Sequence, residues 1–192
     1  MLLTNFHGKV YGFIPLVLAV FFTAGCKKRE EATEPQDTGI KIKLTSSAFK
    51  KGENIPKKYG ADGKNVSPPL KWGDLPKGTV SLALICDDPD APNKTWVHWV
   101  IFNLPADTHK LKEGIPREKA LPGGARQGIN DVDEIGYSGP GPPEGETHRY
   151  FFKLYALDQL LDLPAGATKN DLLKAMKGHV LAKGQLMGKF SS

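Results

Sequence analysis

The chain has 192 residues, 40% of them hydrophobic and 24% charged, and carries a net charge of +5. That length suits one domain with a short appendage, and the about 150 residues left after the N-terminus can bury a core without disulfide staples. Outside Lys27, Lys28 and Arg29 the lysines are scattered, which argues against a nucleic-acid binder, and 21 glycines with 15 prolines argue for a loop-rich β domain over a helical bundle.

Residues 1–25 read as a signal peptide. Lys9 and the amino terminus give a weakly positive start, and Val10–Phe22 form an apolar run interrupted by Gly12 and Pro15. The run is short for a bilayer span and suits the apolar core of an export signal. Thr23, Ala24 and Gly25 are small, and Cys26 follows. The arrangement resembles a bacterial lipobox, with Thr23 where an aliphatic residue is usual, and implies an acylated Cys26 as the mature N-terminus. An ordinary signal peptide beside a chance cysteine, or an uncleaved anchor, are the other readings. Lys27 stands where an inner-membrane retention signal carries aspartate. The expectation is a lipid-anchored envelope protein, at the outer membrane in a Gram-negative cell. Lipidation of Cys26 leaves only Cys86, so no intrachain disulfide can form.

Residues 26–39 contain no large apolar side chain, so they read as a flexible tether, with the globular domain spanning 40–192. Within it, Ile42–Ser46 and Leu70–Trp72 read as short strands. Val80–Cys86 is a buried strand, which makes Cys86 a structural thiol. Trp96–Leu104 is a second long strand, rich in aromatic and β-branched residues. Residues 105–147 carry many Gly, Pro, Asp and Glu, and read as a long loop region with at most short strands. Arg149–Leu157 is a third strong strand. Lys169–Met176 reads as a short helix capped by Asn170. The tail from Gly178 to Phe190 fits either a second helix or a closing strand. The fold class is therefore mainly β: an antiparallel two-sheet β-sandwich with one or two short C-terminal helices.

Polar residues gather beside the three strong strands. Asp87, Asp88 and Asp90 end the first, His98 lies within the second, and His148 and Tyr150 open the third. By the alternation of strand side chains, His98 shares a face with Trp96 and Val100, and His148 with Tyr150. Each has a plainer reading: His98 as a satisfied core histidine, Asp88-Pro89-Asp90 as a turn, Pro140–Pro143 as a rigid loop. Their occurrence together, in this order, carries the functional reading.

The stretch Asn65-Val66-Ser67-Pro68-Pro69-Leu70-Lys71-Trp72 resembles an early signature of the phosphatidylethanolamine-binding protein family. Asp88-Pro89-Asp90-Ala91-Pro92 resembles its central motif, and Trp96-Val97-His98-Trp99 follows at the spacing of bacterial members. Gly136-Tyr137-Ser138-Gly139-Pro140-Gly141-Pro142-Pro143, running on to His148-Arg149-Tyr150, resembles the second long motif. The likeness covers roughly residues 42–190 and is greatest to the bacterial Raf-kinase-inhibitor-like branch. It implies a two-sheet β-fold with a small anion-binding pocket lined by Asp88, Asp90, His98, Gly141, Pro142, His148 and Tyr150. It further implies phosphate or a phospholipid head group as ligand.

Elementary chemistry gives the pocket a rationale. A carboxylate that accepts one imidazole N–H fixes the tautomer and favours the charged ring, which leaves the other N–H as a directed donor. His98 and His148 are thus expected as the principal anion donors, oriented by the aspartates. Tyr150 supplies a hydroxyl, and Gly141 permits close backbone approach. The competing readings carry less. Two histidines beside carboxylates would serve a phosphate-ester hydrolase, but no activated serine or cysteine accompanies them. The same residues are acceptable metal ligands without a dense ligand spacing. An inhibitor of a protease or kinase would use the pocket rim, with partner contacts in the loop Ile115–Gly145. The expectation is a non-enzymatic binding protein without cofactor or metal, contacting a small anion and, through its anchor, a membrane. A homodimer and a protein target stay open.

Overall fold

The computed structural model describes residues 32–36 and 38–192; the signal peptide and Cys26 lie outside the described residues. Its architecture follows from one strand, β4 (Ser81–Asp88), in which every residue is buried. A strand buried on both faces needs cover on both, and the chain supplies a different cover for each.

Flanking β4 are β5 (Trp96–Pro105) and β8 (Thr147–Leu157), both antiparallel to it. The sheet is widened by β1 (Lys41–Ile42), β7 (Arg126–Gln127) and β9 (Val180–Ser191), in the order β1-β9-β8-β4-β5-β7. All its pairings are antiparallel except β1 with β9, which is parallel. A second sheet joins β2 (Leu44–Thr45), β3 (Leu70–Trp72) and β6 (Lys110–Leu111) in the order β2-β3-β6. Between the sheets lies the larger core, where Leu44, Leu70 and Trp72 meet Leu82, Leu84, Trp99, Ile101, Phe152 and Leu154. The outer face of the large sheet is covered by α1 (Lys169–Met176), whose Leu172, Leu173 and Met176 pack with Ala83, Ile85, Val100, Phe102 and Tyr155. The expected β-sandwich with a C-terminal helix is thus found, and the two sheets do not close into a barrel. No helix among the described residues is long and apolar enough to cross a membrane.

Three local expectations are corrected. The strand anticipated over Ile42–Ser46 is divided, because β1 pairs in the large sheet and β2 in the small one. The helix is capped by Thr168, not Asn170: Thr168 accepts the Asp171 amide, and the Asp171 carboxylate takes the Thr168 amide in return. Asn170 instead accepts the Ala32 amide at 2.6 Å. That contact bears on the third correction, since part of the segment expected to be a free tether is docked. Glu34 reaches Lys153 at 3.0 Å and accepts the Tyr155 hydroxyl, while Thr38 donates to the Leu181 carbonyl at 2.9 Å. Lys153 and Lys169 both also bind Asp87, which is fully buried. Charge pairing anchors this segment where apolar burial alone would not. The tail resolves to a strand because Gly184 and Gly188 make room: a Cβ there would lie 2.5 Å from the Ile42 carbonyl and 2.6 Å from Ile55.

Candidate functional site

A bulge aims the first histidine. Cys86 pairs with Trp99 and the next residue, Asp87, with Val97, so His98 is one residue too many on β5. The extra residue breaks the alternation that placed His98 beside Val100, and that part of the expectation is corrected. Val97 and Val100 lie under α1, whereas Trp99 lies between the sheets with Tyr150. The His98 ring meets Tyr150 edge-on, with centroids 5.1 Å apart and planes at 73°.

The second histidine is reached without irregularity. Along β8, His148, Tyr150, Phe152 and Leu154 are all buried, with the last three in the core between the sheets. His148 Nδ1 lies 2.7 Å from Asp88 Oδ2, and Nε2 lies 3.0 Å from Glu146 Oε2. Ionised carboxylates only accept, so against two of them both ring nitrogens donate, which is the hydrogen-bonding pattern of an imidazolium. Burial works against that charge, but the ring's hydrogen bonds to Glu146 and Asp88 outweigh it and hold its proton affinity above the ordinary histidine value. The clamp is asymmetric: the Asp88 and His148 side chains are 4% and 5% exposed, that of Glu146 57%.

His98 differs in kind. Its Nδ1 lies 2.8 Å from the Ser138 carbonyl, which can only accept, so Nδ1 carries a proton. Burial lowers its proton affinity below the ordinary value, and the Ser138 carbonyl and Asp88 resist that only in part. The ring is neutral, with Nε2 left as a lone-pair acceptor. The expectation that aspartates orient both histidines is therefore corrected: a backbone carbonyl orients His98, and the charged donor is His148. Asp90 is turned away to Arg149, whose Nε lies at 2.8 Å, Nη2 at 2.6 Å and backbone amide at 2.9 Å. Those Arg149 bonds hold the Asp90 carboxyl below the usual carboxylate range. Its own amide donates to Asp88 Oδ1 at 2.8 Å, so Asp90 braces the carboxylate that clamps His148. Tyr150 is buried; burial and the adjacent Asp88 push its phenol well up, opposed by the Gly141 amide, so it stays a neutral O–H.

The remaining wall is the loop around Gly141 and Pro142, held against the segment that precedes β3. Ala61 donates to the Pro140 carbonyl at 2.7 Å, Gly139 to Asn65 Oδ1 at 2.8 Å, and the Tyr137 hydroxyl to the Tyr59 carbonyl at 3.1 Å. The fit is tight enough that a Cβ at Gly139 would lie 2.2 Å from the Tyr59 carbonyl oxygen. Gly141 is exposed, a Cβ added to it would lie 3.3 Å from the Ala61 methyl, and Pro142 is buried. The sequence motifs around Asn65 and Gly136–Pro143 are thus two halves of one contact.

The structure links Asp88, His98, His148, Tyr150 and the Gly141 loop at one place, and sets Asp90 behind them. Sequence reasoning missed Ser138, whose contribution is a carbonyl that any residue has, and Arg149. It also missed Glu146, although Glu146 precedes His148 by two residues and the alternation rule already applied to Tyr150 reaches it. The two carboxylates address different nitrogens of His148 and do not converge on a common centre. Among the described residues, no group of three or more His, Cys, Asp or Glu is arranged to hold a metal ion. Cys86 is buried, and burial raises its thiol well above the ordinary value.

Comparison with known proteins places the fold in a family. Residues 45–191 match the family model described as phosphatidylethanolamine-binding protein. A UPF0098 protein of Methanothermobacter thermautotrophicus is 54% identical over 147 residues, spanning 77% of this chain and 97% of that protein. The crystal structure of a phosphatidylethanolamine-binding protein homologue from Chlamydia trachomatis superposes with a TM-score of 0.72 at 43% identity, covering 79% of this chain and 97% of that one. That of Escherichia coli YbcL, described as a member of the mammalian PEBP family, gives a TM-score of 0.74 at 30% identity, covering 79% and 98%.

Proposed function

The chain belongs to the phosphatidylethanolamine-binding protein family, and on that footing we propose that it binds a small oxyanion, phosphate or a phospholipid head group, at His148. We propose further that it does so in the cell envelope, held to a membrane by acylated Cys26, as a binding protein and not an enzyme. One observation supports the site most directly. His148 is clamped from behind by a buried carboxylate, and its other N–H meets an exposed one, Glu146 Oε2, at 3.0 Å. A donor that takes a carboxylate oxygen at its mouth has the charge and geometry to take a phosphate oxygen there. Tyr150 adds a neutral hydroxyl, and neutral His98 adds an acceptor suited to the proton of a monoanionic phosphate.

The test is calorimetric titration of inorganic phosphate and of phosphoethanolamine into the wild type and His148→Gln. Loss of at least about tenfold in affinity for both, on the order of 1.4 kcal/mol, is expected. Equal binding of both ligands by wild type and variant would refute the site. A preference for phosphoethanolamine points to a head group, and equal affinity to free phosphate. Radiolabelled palmitate incorporation, lost in Cys26→Ser, tests the anchor separately.

A further inference from the structure

Building on the anion-site reading above, we propose that Glu146 is a built-in competitor: its carboxylate holds the His148 Nε2 donor, and a phosphate ligand enters by displacing it. The backbone that carries Glu146 is fixed from two sides. Its amide donates to the Pro143 carbonyl at 3.0 Å, closing a turn whose Gly145 sits at φ +79°. The Gly145 amide donates to Ser192 Oγ at 3.1 Å, and that hydroxyl donates to Pro143 at 2.8 Å. On the other side, the Thr147 and Ser191 hydroxyls bond each other at 2.8 Å. The turn is therefore set by the end of β9, while the side chain it presents stands in solvent.

That division of labour is what a displaceable group needs. The only polar partner of the Glu146 carboxylate among the described residues is His148, at 3.0 Å. Swinging it into water exchanges one exposed contact for hydration, at little cost. Leaving it in place sets two carboxylates, Asp88 and Glu146, around a single imidazolium, a net negative charge that repels an oxyanion. With Glu146 withdrawn, the Asp88–His148 pair is neutral overall and offers one free charge-assisted N–H. The competitor thus sets a threshold for entry. A carboxylate ligand replaces a group like itself and gains little, whereas a phosphate supplies more oxygens and more charge to the same donor.

The consequence is read from Glu146→Gln, which keeps the shape and removes the charge. A unit charge at a half-exposed rim beside a bound anion is worth on the order of tenfold in affinity. Titrated at pH 6, where His148 is charged, Glu146→Gln is expected to bind inorganic phosphate about tenfold tighter than wild type. A second measurement does not depend on the variant: phosphate added to the wild type should shift the Glu146 carboxyl carbon resonance as the group is released into water. If wild type binds phosphate and His148→Gln does not, yet Glu146→Gln binds no tighter and the Glu146 resonance stays still, the competitor is overturned while the anion site stands. If neither wild type nor Glu146→Gln binds phosphate, the anion site itself falls, and the competitor with it.

Discussion

Replacing Asp88 by Asn tests the clamp where its energetics are most legible. Asp88 accepts two N–H groups, His148 Nδ1 at 2.7 Å and the Asp90 amide at 2.8 Å, and both side chains of the His148 pair are almost wholly buried. An Asn carbonyl can serve one of these donors but not both in the same geometry, so one net hydrogen bond, about 1 kcal/mol, is lost at every pH. The charge-assisted part adds about 2 kcal/mol. It stays below the 3–5 kcal/mol range typical of a stranded buried charge, because His148 can release its proton. Its pH dependence has a definite sign. The folded-state proton affinity of His148 is raised, so the contribution is fully present below about pH 6.5, where the unfolded chain titrates, and fades as pH rises through the higher folded value. Urea denaturation should therefore show Asp88→Asn destabilised by about 3 kcal/mol at pH 6 and about 1 kcal/mol at pH 9. The same destabilisation at both pH values would refute an imidazolium at position 148.

Two further substitutions probe the neighbours. His98→Leu strands the Ser138 carbonyl and should cost about 1–2 kcal/mol at pH 7.5 in urea denaturation. Because burial depresses the folded proton affinity of His98, the wild type itself loses that stabilisation as pH falls below about 6.5, and the gap should narrow by pH 5; a gap that widens on acidification would mean the ring is charged. Glu34→Gln should cost about 1 kcal/mol at pH 7. Burial opposes the Glu34 charge, but the Tyr155 hydroxyl and Lys153 hold its carboxyl below the usual range, so its contribution is present above about pH 4.5 and is lost as pH falls through the lower folded value. Hydrogen exchange at the Ala32 amide should speed up in the same variant, and unchanged protection would show that Glu34 does not fasten the segment.

Much of the fold was legible because its strongest signals are local. The continuous apolar run before Asp87 reads as a buried strand and is one, and Leu70–Trp72 and Lys169–Met176 lie where their patterning puts them. The site was legible in its residue types but not in its wiring. His148 with Tyr150 follows from regular alternation on β8, whereas His98 depends on a bulge, and a bulge leaves no mark on composition or period. The partner of His98 is a main-chain carbonyl, invisible in any sequence. The docking of residues 32–36 was missed for another reason. The rule that short polar segments stay loose weighs apolar burial alone, and here two lysines on separate elements meet Glu34 beside a buried Asp87.

That last network gives the end of β4 its logic. Asp87 and Asp88 are consecutive and face opposite sides of the sheet: Asp87 binds Lys153 and Lys169 beneath α1, and Asp88 binds His148 between the sheets. A strand end that buries two carboxylates side by side is stable only if each finds its own cation, and the two faces supply them independently. Lys153 and His148 both come from β8, the strand hydrogen-bonded to β4, so the register of one strand pair, Asp87 opposite Phe151, fixes both partners together. A slip of one residue would send Lys153 and His148 to the wrong faces, leaving Asp88 buried without a cation and Asp87 with Lys169 alone. The pair of aspartates therefore guards the alignment on which the position of His148 depends, and that histidine is held in place by the same constraint that specifies the sheet.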